Sequence, residues 1–194
     1  MFHAVIASAT RSNLLRLTVF EEIASSHRNH DPRNDRNKVL SSHPSMTTNQ
    51  LLALQSNTTL LVKNDPFEYK GRAEITLDGG EIIFWLFSDE AAFVSINPVT
   101  DEVVFFRQTE SELEGDEEGA LFEGEPFELS CKDHGTVSVI TDEASLEEED
   151  ILDFTDYENK EGEIVRVVEN SSTGDSQVYT GIVLVEEETK VVED

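Results

Sequence analysis

Cys131 and His134 are the first residues to consider, because a thiol and an imidazole three positions apart can hold a metal or pair a nucleophile with a base. As Cys-x-x-His they form half of a zinc pattern, and zinc takes four ligands, normally from two such pairs. Cys131 is the only cysteine, and the other four histidines lie before residue 45. The spacing therefore predicts no metal site, with Cys131 a small buried residue and His134 part of a turn. A nucleophile and its base need a third group to orient them. Asp133 is the only neighbour of the right type, and three adjacent side chains on one turn rarely converge.

Carboxylate chemistry is equally unspecific here. With 41 acids in 194 residues, a pair at glycosidase spacing would arise by abundance alone. "DGGE" (78–81) lacks the lysine and following helix of a phosphate loop. "DYENKEGEI" (156–164) resembles a calcium loop, but aligning Gly162 with the loop glycine puts Tyr157 and Val168 at ligand positions. The sequence thus predicts no catalytic, cofactor-binding or metal residues, and no cofactor.

What remains is the acid itself. "TESELEGDEEGALFEGE" (109–125) and "ASLEEEDILDF" (144–154) concentrate carboxylates, with no base within either run. Three readings compete: solvated loops, a face for a basic partner such as a nuclease inhibitor or DNA mimic would carry, and adaptation to high salt. Salt adaptation favours Asp over Glu and few lysines, and these runs are mainly Glu. As an interaction surface, the candidates are Glu110, Glu112, Glu114, Asp116, Glu117, Glu118, Glu147, Glu148, Glu149 and Asp150. A formal net charge of −27 repels nucleic acid and anionic membrane and attracts basic proteins. The expected partner is therefore a basic protein, with no nucleic acid and no membrane.

The charge also divides the chain. Residues 1–45 hold six bases and four acids, whereas residues 46–194 hold eight bases and 37 acids. A flexible basic arm, a targeting peptide or a start at Met46 would each explain the break. The last is favoured, because no continuous pattern crosses it. No charged segment precedes the short apolar stretch near Met1, and the longest apolar run, "IIFWLF", is too short to span a bilayer. A lone cysteine suits a reducing compartment, so a cytoplasmic location is expected.

Stepping along the chain, "TTNQLLALQS" (47–56) predicts a short helix, and strands follow from residue 58. "FEYKGRAEITL" alternates apolar and polar residues as a half-buried strand does. "EIIFWLF" is apolar on both faces and predicts a strand covered on both sides. "AAFVSIN" and "EVVFFRQ" complete a meander ending near residue 108. "PFELSC" and "TVSVIT" predict strands flanking a turn at "KDHG". Ser145 and Glu148 have capping-box spacing, which predicts a helix over 146–154. "GEIVRVVEN" and "QVYTGIVLVEE" are the closing strands.

Pro-Phe-Glu occurs at 66–68 and again at 126–128, each time opening a strand, which suggests a duplicated β unit. The expected fold is mainly β: antiparallel meanders forming two small sheet- or barrel-like lobes, 46–108 and 126–194, joined by an acidic linker at 109–125. A single barrel or sandwich is the alternative. Over 58–187 the features "FEYKGRAEITL", "IIFWLF" and "VYTGIVLVEEETKV" resemble those of an uncharacterised bacterial domain-of-unknown-function family of β-rich proteins. That resemblance implies a two-part β fold and no assigned activity. The functional expectation is an acidic, non-enzymatic interaction or accessory module, with an acidic inhibitor or DNA mimic as the alternative.

Overall fold

The computed structural model describes residues 46–88, 91–115, 119–185 and 188–192. Residues 1–45, where the charge break lies, fall outside them. Helix α1 (Thr48–Leu52) is the only helix longer than a single turn among the described residues. Its cap is Thr47: the Thr47 hydroxyl accepts from Gln50 N, and the Gln50 side chain accepts from Thr47 N at 2.9 Å. This reciprocal pair is the capping box, and it starts the helix at Thr48.

Strands β1 (Thr59–Val62) and β2 (Asp65–Glu68) form a hairpin through Lys63 (φ 50°) and Asn64 (φ 76°). Two successive positive φ values make a type I′ turn, whose twist matches its strands. The meander β3 (Gly71–Leu77), β4 (Ile82–Phe87), β5 (Ala92–Asn97) and β6 (Glu102–Thr109) follows. Next come β7 (Leu113–Gly115), β8 (Gly119–Phe122) and β9 (Glu125–Asp142). Strands β10 (Ile151–Glu158), β11 (Ile164–Asn170), β12 (Asp175–Val183) and β13 (Thr189–Val191) complete the chain.

The mainly β class and the antiparallel meanders hold, but the two lobes do not separate. β3 pairs with the C-terminal half of β9, and β6 pairs with β12. With β9–β10, β10–β11 and β11–β12, eight strands close into one antiparallel barrel. Closure has a physical reason: either meander alone would leave two edges unpaired and an apolar face in water. A smaller sheet, β13–β1–β2, lies apart in hydrogen bonding. Nor is 109–125 a plain linker, because β7 and β8 pair with each other and β8 pairs with β9.

The duplication is real at the level of topology. The turn between β8 and β9 is again type I′, at Glu123 (φ 52°) and Gly124 (φ 85°). Leu60 faces Phe67 in the first hairpin, and Ala120 faces Phe127 in the second. Each hairpin leads into a four-stranded meander. The first strands of the two meanders pair with each other, as do the last strands. β7, which follows the first meander, adds to the second hairpin, and β13, which follows the second, adds to the first. The pairing pattern is thus two-fold in its connectivity.

Three cores result. The barrel interior is filled by Trp85, Phe93, Phe106, Phe154 and their aliphatic neighbours, with Trp85 stacked on Phe93 at 4.4 Å and Phe93 on Phe106 at 5.0 Å. The first hairpin covers the outer wall at Leu86, Val94 and Phe105; the second covers Tyr157 and Val165. "IIFWLF" is thus covered on both sides, Trp85 inward and Leu86 outward.

Two local expectations are corrected. Residues 146–154 do not form a helix. Residues 146–150 turn, Glu149 takes φ 72°, and Ile151 opens β10. Leu152, Phe154 and Asp156 alternate into the barrel, and this period of two overrides the local capping spacing. "KDHG" is not a turn either, for β9 runs unbroken through it for 18 residues. A strand that long stays on a barrel by bulging. The register skips Ser130 against β10 and Ser138 against β3. At the second skip the Ser138 hydroxyl donates to the Glu74 carbonyl at 3.1 Å. Gly135 permits the crossing of β3, since a Cβ there would lie 2.8 Å from the Ile75 side chain.

Candidate functional site

Strand geometry decides the fate of Cys131 and His134. Three residues apart on one strand, they point to opposite faces. Cys131 opposes Asp156 on the barrel's inner side and donates to Asp133 Oδ2 at 3.0 Å. His134 opposes Asp153 on the outer side, with Nδ1 2.7 Å from Asp153 Oδ1. The Ser171 hydroxyl donates to the other oxygen of Asp153 at 2.8 Å. The hydrogen bond from Asp153 raises the His134 pKa above its usual range, and the same bond, with that from Ser171, lowers the pKa of Asp153. Here the carboxylate sits between hydroxyl and imidazole. A nucleophile must instead touch its base, so this cluster is a surface clamp joining β9, β10 and the β11–β12 turn. No group of three or more His, Cys, Asp or Glu side chains suited to a metal exists among the described residues.

One charged pair lies inside the barrel. Arg166 and Asp156 face each other across β10 and β11, and the fork is bidentate: Nε to Oδ1 at 2.6 Å and Nη2 to Oδ2 at 2.8 Å. Both residues are more than nine-tenths buried. The guanidinium also lies 4.3 Å from the Phe106 ring centre and 4.9 Å from that of Phe154. Phe106 in turn fills the space beside Gly181, where a Cβ would come within 2.4 Å of the ring. The aromatic packing around this pair marks the interior as a structural core.

The surface carries the remaining chemistry. Of the acids singled out from the sequence, Glu110, Glu112, Glu114, Glu147, Glu148 and Glu149 are exposed. Asp116, Glu117 and Glu118 lie outside the described residues. Asp150 is corrected: it is 8% exposed, and its carboxylate accepts from Glu147 N at 2.9 Å, fixing the turn before β10. Its role is internal.

The fold gathers a second set, of which only Glu123 and Glu125 lie in the acidic runs quoted from the sequence. The tip of the second hairpin carries Glu123 and Glu125, and beside it lie Glu158 at the end of β10 and Glu161 and Glu163 in the β10–β11 turn. Glu128 stands directly opposite Glu158 across β9 and β10, a like-charged pair that costs stability. Two clefts open there. One, of about 600 Å³, runs past Glu125, Glu128, Glu158 and Glu161, with Lys160 at its side. The other, of about 470 Å³, lies between the hairpin and β12, with Phe122, Phe127 and Ile182 beneath Glu123, Glu125 and Glu163. The repeated Pro-Phe-Glu was a signal that could have found part of it, since matching 126–128 to 66–68 puts residues 123–125 at a hairpin tip and not in the expected linker. Nothing in the sequence said which turn would lie next to it.

Comparison with protein-family models, with curated proteins and with solved structures gives no match in any of the three. The resemblance to a β-rich family therefore rests on the strand pattern alone. No helix among the described residues is long and apolar enough to cross a membrane.

Proposed function

We propose that this chain is a non-catalytic interaction module, working in the cytoplasm, that meets a basic protein through the acidic end formed by the second hairpin and the β10–β11 turn. The observation that carries this reading is the opposed pair Glu128 and Glu158. A sheet that served stability alone would gain from an opposite charge at one of these positions. Holding like charges on paired strands makes sense where a cation from outside completes the site. Trp85, Phe93, Phe106 and Phe154 fill the barrel interior, so the clefts described above open on the surface. The narrower role of inhibitor or DNA mimic is favoured by the fixed strand positions of Glu128 and Glu158, because a mimic of phosphates needs ordered carboxylates.

The test is retention of basic proteins by the immobilised full chain at about 0.05 M and about 0.15 M salt, where the screening length shrinks to roughly 8 Å. Retention at low salt that weakens at the higher salt is expected. No basic protein retained at low salt refutes the reading. Competition by duplex DNA separates the mimic from other partners.

A further inference from the structure

The duplication matches the two halves residue by residue. Counting from Pro66 and Pro126, Gly71 corresponds to Cys131, and the pairing registers then match Phe87 to Asp156 and Phe93 to Arg166. Where the first half packs two phenylalanines against Trp85, the second holds the buried ion pair. The barrel wall accepts aromatic residues at this place, so its closure does not require polar ones. Two donors inside the barrel have no acceptor among the described residues: Arg166 Nη1 and Trp85 Nε1. Both residues are more than nine-tenths buried, and a buried N–H without an acceptor is rare in a native core. The fork to Asp156 uses Nε and Nη2, which leaves Nη1 on the far side of the guanidinium. The guanidinium carbon lies 5.8 Å from the Trp85 ring centre. One water accepting from two N–H groups, each at about 2.9 Å, spans a gap of this order.

We infer that one buried water molecule sits between Arg166 and Trp85, accepts a hydrogen bond from each, and ties the two halves of the barrel together across its interior. Charge selects water over an anion. Asp156 already neutralises Arg166, so an anion would add an uncompensated buried charge to a chain of net charge −27. A water is neutral and serves groups that the protein leaves unpaired, and its own hydrogens go to the lone pairs that remain on the Asp156 carboxylate. The faces of Phe106 and Phe154 beside the guanidinium are weaker acceptors than an oxygen. Trp85 belongs to β4 in the first meander and Arg166 to β11 in the second. The water is thus a strut between halves that otherwise meet along the two seams and at the hairpins.

The experiment uses the isotope-labelled full chain, whose single tryptophan gives one indole N–H signal. Magnetisation transfer from water to that proton is recorded in laboratory-frame and rotating-frame Overhauser spectra. A cross-peak of opposite sign in the two is expected, the mark of a water that stays bound for longer than the molecule takes to tumble. No cross-peak, or one of the same sign in both as exchange with bulk solvent gives, overturns the inference. Sodium bromide added to a halide-free sample should leave the indole shift unmoved, and a saturable shift would put an anion in the water's place and overturn it too. In the double variant Asp156→Leu with Arg166→Met the cross-peak should be lost, and its survival overturns the share assigned to Arg166. Ser95 faces Trp85 across β4 and β5 and is 8% exposed. Ser95→Ala should keep the cross-peak, and its loss would trace the signal to the hydroxyl proton and overturn the water. The native-chain spectra and the bromide titration decide the outcome even where the double variant fails to fold.

Discussion

Asp156→Ala isolates what the buried ion pair contributes. It removes both acceptors from Arg166 and leaves a guanidinium that is 7% exposed, cannot give up its proton, and faces Phe106 and Phe154. Two charge-assisted hydrogen bonds of about 1.5–3 kcal/mol each are lost, and part returns as the side chain shifts toward water. Breaking one partner of a buried pair costs about 3–5 kcal/mol. Against a total stability of about 5–15 kcal/mol, this approaches the margin for folding. Arg166→Met should cost less, because a carboxyl left alone can neutralise itself by taking up a proton. The double variant Asp156→Leu with Arg166→Met replaces charge by apolar bulk and should be close to the native stability. Urea unfolding, read by the fluorescence of the single tryptophan, Trp85, measures all three. If Asp156→Ala costs under about 1 kcal/mol, or the double variant is less stable than that single one, the reasoning about an uncompensated buried cation is wrong.

Three further outcomes are expected. Gly181→Ala places a Cβ 2.4 Å from Phe106, so overpacking should lower stability by about 1–3 kcal/mol in the same urea assay. The pKa of His134 is raised, so the clamp with Asp153 is fully present below the usual histidine value near 6.5 and is lost as pH rises through the raised value. The pKa of Asp153 is lowered, so its share is present above the ordinary carboxylate range and is lost as pH falls through the lowered value. The difference in thermal midpoint between the native chain and His134→Gln should therefore shrink from pH 6 to pH 8, and a constant difference would refute the clamp. Finally, with a net charge of −27 the thermal midpoint should rise with added salt as self-repulsion is screened, and a flat or falling midpoint would show repulsion to be a minor cost.

The strands of the first meander were legible because Ala73, Ile75 and Leu77 alternate with polar residues and the turns between strands are short. The second meander was harder to read for a physical reason. Bulges at Ser130 and Ser138 shift the parity of β9, so Phe127 and Leu129 face outward while Cys131 faces inward. A period-two pattern broken twice reads as two strands and a turn. The helix expected over 146–154 shows the same limit, since Ser145 and Glu148 are local signals while Leu152 and Phe154 answer to the barrel. The single barrel itself could not be preferred over two lobes, because both seams join strands far apart in sequence. For the acidic site, the runs of glutamate drew attention to 147–150, whereas the gathered set at 123–125 and 158–163 exists only through the meeting of two turns.

The reciprocal placing of β7 and β13 bears on how the chain comes into being. Leu60 finds Val191 only after the chain has been made as far as β13, and the β3–β9 and β6–β12 seams also await the second meander. Pairings this distant in sequence make for slow folding. During synthesis, the first meander emerges with Trp85, Phe87 and Phe93 uncovered and the edges of β3 and β6 open, the state in which β-rich chains stick to one another. The charge comes late as well: residues 1–108 hold ten bases and 13 acids, so repulsion between nascent copies stays weak until the acidic residues beyond them have been made.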